Sequence, residues 1–238
     1  MSTHCKLVMV VLALALGGQV HTGKIIGGRE AVPHSRPYMV LLERHMEDRS
    51  TKYCGGFLLN DDFVMTAAHC QAKSFTVLLG VHKFSKSDGV QRISVEQAFP
   101  HKSYNATDFI NDIMLLKLSS KAEINKHVAP IALADRDDGS LPKSCIVIGW
   151  GKYTNDTDYM SPVLREVNVT LIENSMCAMS NFYCSEGEIG PAEGDSGGPL
   201  VCDGKAFGVV SSKYKLNTGA LLKRYAKIPE YKHVFTSP

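Results

Sequence analysis

Apolar residues along this chain fall in short runs rather than in long helical stripes. Residues 38–42, 56–59, 63–67, 75–79, 113–118, 146–148, 166–171, 199–202 and 207–211 read as strands. Turn formers separate them, as in Asn60-Asp61-Asp62, Ser87-Asp88-Gly89 and Cys202-Asp203-Gly204. Many short strands with this punctuation predict an all-β antiparallel barrel or sandwich. Only the stretch over residues 229–235 has a helical look.

One apolar run breaks the pattern. Lys6 precedes ten apolar residues, 7–16, followed by Gly17 and Gly18. A basic start, an apolar core of this length and small residues after it form a secretory signal peptide. The run is shorter than the ~20 residues that span a bilayer. The rest, of ordinary globular composition at 44% hydrophobic and 21% charged residues, has the length for one large β domain or two small ones.

The signal peptide changes how charge and cysteine are counted. Residues 1–24 hold two of the 26 basic residues and none of the 24 acidic ones, so the remainder is balanced. Nothing marks a nucleic-acid surface. Of seven cysteines, Cys5 lies in the signal peptide. Cys54, Cys70, Cys145, Cys177, Cys184 and Cys202 then form three disulfides in an oxidising compartment, with fifteen pairings open. None is spaced CxxC, so neither a metal site nor a redox pair is expected. Asn105, Asn155 and Asn168 each head an N-x-T sequon and are expected glycan acceptors.

Chemistry concentrates in Gly194-Asp195-Ser196-Gly197-Gly198-Pro199. A serine nucleophile needs a base to take its proton and backbone N–H groups aimed at the developing oxyanion. Glycines beside Ser196 free the backbone to provide them. Gly-x-Ser-x-Gly also occurs in α/β hydrolases, but those place acid and histidine after the serine. Only 42 residues follow Ser196. The candidates lie upstream: His69 in Thr66-Ala67-Ala68-His69-Cys70, and Asp112 before the apolar run 113–116. A carboxylate in apolar surroundings is costly to bury unless a partner such as a histidine N–H compensates it.

Together these segments resemble the chymotrypsin-like serine proteases, with His69, Asp112 and Ser196 as the triad. Ile25-Ile26-Gly27-Gly28, Cys54-Gly55-Gly56-Phe57 and Gly149-Trp150-Gly151 extend the likeness over residues 25–238. Pro33-His34-Ser35-Arg36-Pro37-Tyr38-Met39 is similar to the granzyme and mast-cell protease branch. The resemblance implies two six-stranded β barrels and a short C-terminal helix. It implies disulfides Cys54–Cys70, Cys145–Cys202 and Cys177–Cys184, and an oxyanion hole from the N–H groups of Gly194 and Ser196. It further implies a zymogen cut at Lys24-Ile25, whose new Ile25 ammonium pairs with Asp195. With a signal peptide over residues 1–22, Gly23-Lys24 is the pro-segment. The implied partners are protein or peptide substrates, an activating protease and protein inhibitors. No cofactor, nucleic acid or membrane is implied for the mature form, which is secreted or stored in a secretory granule.

The chain departs from its relatives around the specificity pocket. Gly190, followed by Pro191, stands where trypsins carry an aspartate, so cleavage after Lys or Arg is not expected. Ser211-Ser212-Lys213 replaces Ser-Trp-Gly, and Lys223 falls at the back of the pocket. A buried ammonium there selects Asp or Glu before the scissile bond. Two alternatives stay open: Lys223 reaching solvent beside an apolar pocket, or a pocket closed by Lys213. A closed pocket would make the chain an inactive homologue that acts as a binding protein.

Overall fold

The computed structural model describes residues 27–86, 89–134, 141–142, 144–153 and 159–228. Short β1 (Arg29–Glu30) leads to β2 (Met39–His45), β3 (Thr51–Leu58), β4 (Phe63–Thr66), β5 (Ser74–Leu79), β6 (Gln91–Pro100) and β7 (Met114–Leu118). Strands β2 to β7 close an antiparallel barrel in the order β2-β3-β4-β7-β6-β5. Met39, Val40, Leu41 and Leu42 are all buried, so β2 is covered on both faces.

The second half contains β8 (Cys145–Gly149), β9 (Arg165–Val169), β10 (Leu171–Ile172), β11 (Phe182–Glu186), β12 (Pro199–Cys202), β13 (Lys205–Lys215) and β14 (Leu221–Lys227). They form one sheet in the order β1-β9-β8-β12-β13-β14-β11-β10. Six longer strands make its body, and the two-residue β1 and β10 edge it. Glu166 on β9 ties this sheet to the chain start: Arg29 and Arg36 each donate two hydrogen bonds to its carboxylate at 2.9–3.0 Å. The almost all-β architecture matches the expected chymotrypsin-like fold.

Three segments escape the alternation rule for physical reasons. Strand β6 has a single buried residue, Ile93, so its sequence reads as polar loop. Strand β14 carries Lys223, Arg224 and Lys227 among its seven residues. Strand β11 follows a one-and-a-half-turn helix, α1 (Ser175–Met179), capped by Asn174, whose side chain accepts from the Cys177 N–H. The signal peptide and pro-segment, the Asn155 sequon and the expected helix over 229–235 lie outside the described residues.

The disulfides are Cys54–Cys70, Cys145–Cys202 and Cys177–Cys184. They close loops of very different length, 57 residues for Cys145–Cys202 and 7 for Cys177–Cys184. Loop-closure entropy then assigns roughly 4 kcal/mol to the first and roughly 2 kcal/mol to the second. Replacing Cys145 and Cys202 by alanine should therefore lower the urea midpoint clearly further than replacing Cys177 and Cys184. Equal midpoints would contradict this ordering.

Candidate active site

His69 sits in a single 3₁₀ turn, Ala68–Cys70, that follows β4. Two restraints hold this turn. Cys70 is bonded to Cys54 on β3, and Arg44 on β2 donates to the carbonyls of Cys70 (2.7 Å) and Gln71 (3.1 Å). Cys54 and Cys70 sulfurs lie beside His69, but their disulfide spends them as metal ligands.

Asp112 is wholly buried just before β7. Ile113 N–H donates to the Asn111 carbonyl at 2.8 Å, a three-residue turn with Asp112 at its apex. Phe109 and Asn111 both adopt positive φ, 61° and 59°, which is uncommon for non-glycine residues. The carboxylate accepts three hydrogen bonds: from His69 N–H at 2.8 Å, His69 Nδ1 at 2.7 Å and Ser211 Oγ at 2.6 Å. An acceptor at Nδ1 fixes the tautomer with Nε2 free to take a proton. The Phe109 ring meets the imidazole edge-on, with centroids 5.6 Å apart.

Ser196 is delivered to the same place by a loop pinned on two sides. Gly55 N–H on β3 donates to the Ser196 carbonyl at 2.7 Å. Gly197 N–H donates to the Val210 carbonyl on β13, and Val210 N–H to the Gly198 carbonyl, both at 2.8 Å. Gly197 has φ 83°, and a Cβ there would collide with Thr66 Oγ1 and the Gly55 carbonyl, so no other residue fits. Among the described residues no hydrogen bond joins Ser196 to His69, an arrangement common before substrate binds. Both line one cleft of about 360 Å³, together with Phe109, Pro191, Ala192, Glu193 and residues 210–213 and 223.

Gly194, φ 96°, precedes Asp195 and Ser196. The Glu193 carbonyl accepts from Lys152 N–H at 2.8 Å. Among the described residues, no backbone carbonyl takes the N–H of Gly194 or Ser196. Asp195 is fully buried and accepts from Gly151 N–H (2.7 Å) and Ala192 N–H (2.9 Å). Burial nonetheless pushes its carboxyl up to about 6, against those two donors. Lys24 and Ile25, expected to act with Asp195, lie outside the described residues.

Lys223 is nearly buried on β14 and lines the cleft. Its ammonium donates to the Glu188 carbonyl at 2.6 Å, and its stem lies over Gly190, where a Cβ would come within 3.1 Å. Burial pulls the ammonium down to about 8, opposed by Glu188 and Asp195. Lys213 pairs with Lys223 across β13 and β14 and is exposed at the cleft mouth. Phe109 and Glu193 are cleft residues that sequence reasoning did not single out; adjacency to Asp112 and Gly194 was their only signal. Asn105 and Asn168 are exposed.

The trypsin family model matches residues 25–235. This chain belongs to the trypsin family. It is 42% identical to mast cell protease 8 of Mus musculus over 236 residues, 94% of each chain. It is 40% identical to granzyme B of Rattus norvegicus, covering 95% of each, and 40% identical to granzyme B of Homo sapiens over the same share. A solved structure named "Structure of GrC" superposes with a TM-score of 0.77 at 37% identity, covering 88% of this chain and 96% of that one. The chain is a chymotrypsin-like serine endopeptidase, and its substrates are proteins.

Two glycines make room for Asp195. A Cβ on Gly151 would lie 2.5 Å from the Asp195 carboxyl, and one on Gly149 would overlap its Oδ1. Gly151→Ala should cost about 3 kcal/mol or more by displacing a buried carboxylate. Urea denaturation measures it; a change below about 1 kcal/mol would show that Asp195 moves freely.

Proposed function

We propose that this endopeptidase uses Ser196 as nucleophile, His69 as general base and Asp112 as the carboxylate that orients the imidazole. Ser196 Oγ attacks the scissile carbonyl as its proton passes to His69 Nε2. His69 then protonates the leaving amine, and water releases the acyl group by the reverse sequence. The N–H groups of Gly194 and Ser196 serve as the oxyanion donors; the orientation of the Glu193 carbonyl toward Lys152 supports this. Cleavage at Lys24-Ile25 supplies the Ile25 ammonium to Asp195. A buried carboxyl raised to about 6 is one that a cation would stabilise. Glycans on Asn105, Asn155 and Asn168, and release by secretion or from a granule, complete the reading, with an activating protease and protein inhibitors as its further partners.

The substrate class is carried by Lys223. A nearly buried ammonium beside Gly190, which stands where trypsins carry an aspartate, rewards aspartate or glutamate before the scissile bond. Lys213 at the mouth adds charge of the same sign.

A peptide library varied at the residue before the cut tests this. The expected order places Asp and Glu first, and Lys223→Met should reduce the Asp-over-Leu ratio at least about tenfold. The ammonium is charged only below its pKa of about 8. kcat/KM for the Asp substrate should therefore fall as pH rises through 8, while the Leu substrate declines less. Fastest cleavage after Phe or Leu by the unaltered enzyme would overturn the acidic preference.

A further inference from the structure

Arg224 on β14 pairs with Ser212 on β13, where related proteases carry the tryptophan of Ser-Trp-Gly. Its guanidinium carbon lies 4.7 Å from the Phe182 ring centroid and 5.7 Å from that of Tyr214. Its Nε donates to Ser212 Oγ at 2.9 Å. Ser212 Oγ is 3.4 Å from Ser211 Oγ, and Ser211 donates to Asp112 Oδ2 at 2.6 Å. Arg224 is therefore joined to Asp112 through two hydroxyls, and Asp112 to the His69 ring.

Counting protons shows which of these contacts is dominant. A hydroxyl has one hydrogen. The Ser211 hydrogen is committed to the carboxylate, the shorter contact and the stronger acceptor. Ser212 Oγ accepts from Arg224, which cannot lose its proton, and stands 3.4 Å away as the weaker second acceptor for the same Ser211 hydrogen. Arg224 thus fixes Ser212 beside the Ser211 hydroxyl, and its charge also attracts the Asp112 carboxylate through space. The 3.4 Å link is the longest and the weakest of the three. Among the described residues, the charged and titratable groups around this chain include His69, Tyr104, Asp108 and Tyr214, with Lys213 and Lys223 on the neighbouring strand positions.

We propose that Arg224 is a positioning residue, which acts through Ser212 and Ser211 to hold Asp112 against His69. The inference rests on the triad reading above. Arg224 does not line the cleft. Its effect therefore falls on the chemical step and leaves binding of a short substrate alone.

The test is a double-mutant cycle in the active chain beginning at Ile25, with Arg224→Met, Ser212→Ala and both together. Each single change should lower kcat about tenfold, Arg224→Met with KM unchanged within about twofold, and the pair should be no worse than the worse single. Arg224→Lys, which keeps charge and a donor, should recover most of the loss. The downfield His69 Nδ1–H resonance should move in Arg224→Met. Unchanged kcat and resonance with only a lowered Tm would overturn the proposal and leave Arg224 as a plug between two aromatic rings. Losses that multiply in the pair would overturn it as well. Ser196→Ala is run alongside: full activity there would refute the triad itself, whereas its inactivity with an undisturbed Arg224→Met refutes only the role of Arg224.

Discussion

A fully buried carboxylate that must find its donors sets the geometry of this molecule. Asp112 sits on a turn just after two left-handed residues, Phe109 and Asn111, and is wholly buried. Its compensation comes from both halves of the fold: His69 from the barrel and Ser211 from strand β13. An unpaired buried charge would cost several kcal/mol, so the two halves are held in one relative position wherever Asp112 is ionised. The cleft that contains Ser196 lies along this junction.

Asp195 solves the same problem differently. It has two donors, both backbone, where Asp112 has three, and burial still raises its carboxyl to about 6. Asp112 is held by three donors already in place, one from the backbone and two from side chains. Asp195 keeps a raised carboxyl despite its two donors and the nearby Lys223, beside the loop proposed to supply the oxyanion donors. That contrast suits the proposed proteolytic switch, in which a charge created by cleavage has somewhere favourable to go. The glycines at 149, 151 and 197 serve this arrangement, because each gives up a side chain where a backbone or carboxylate must approach closely.

Much of this was legible in the sequence because the chemistry demands local signatures. Gly194–Pro199, Thr66–Cys70 and the aspartate ahead of residues 113–116 announce themselves through glycines, a cysteine and an isolated acid. Strands with buried faces, such as 63–66 and 199–202, were read within a residue or two. Strands β6 and β14 were not, since one is solvated and the other studded with cations whose burial depends on distant partners. Lys223 illustrates the limit. Its position was countable along the chain, but its hydrogen bond to the Glu188 carbonyl and its contact with Gly190 exist only in three dimensions. The Arg224–Ser212 pair was further from reach, because the cross-strand register that unites the two includes a bulge between Val210 and Ser212.

Covalent labelling with a serine-directed fluorophosphonate tests most directly whether this junction is a cleavage-switched nucleophilic site. Three proteins are compared: the chain beginning at Ile25, the chain retaining Lys24, and Ser196→Ala beginning at Ile25. Labelling of the Ile25 form alone is the result expected from a free ammonium reaching Asp195 and freeing the oxyanion donors beside Ser196. Equal labelling of the form retaining Lys24 would contradict the switch, and no labelling of a folded, disulfide-bonded Ile25 form would contradict the nucleophile.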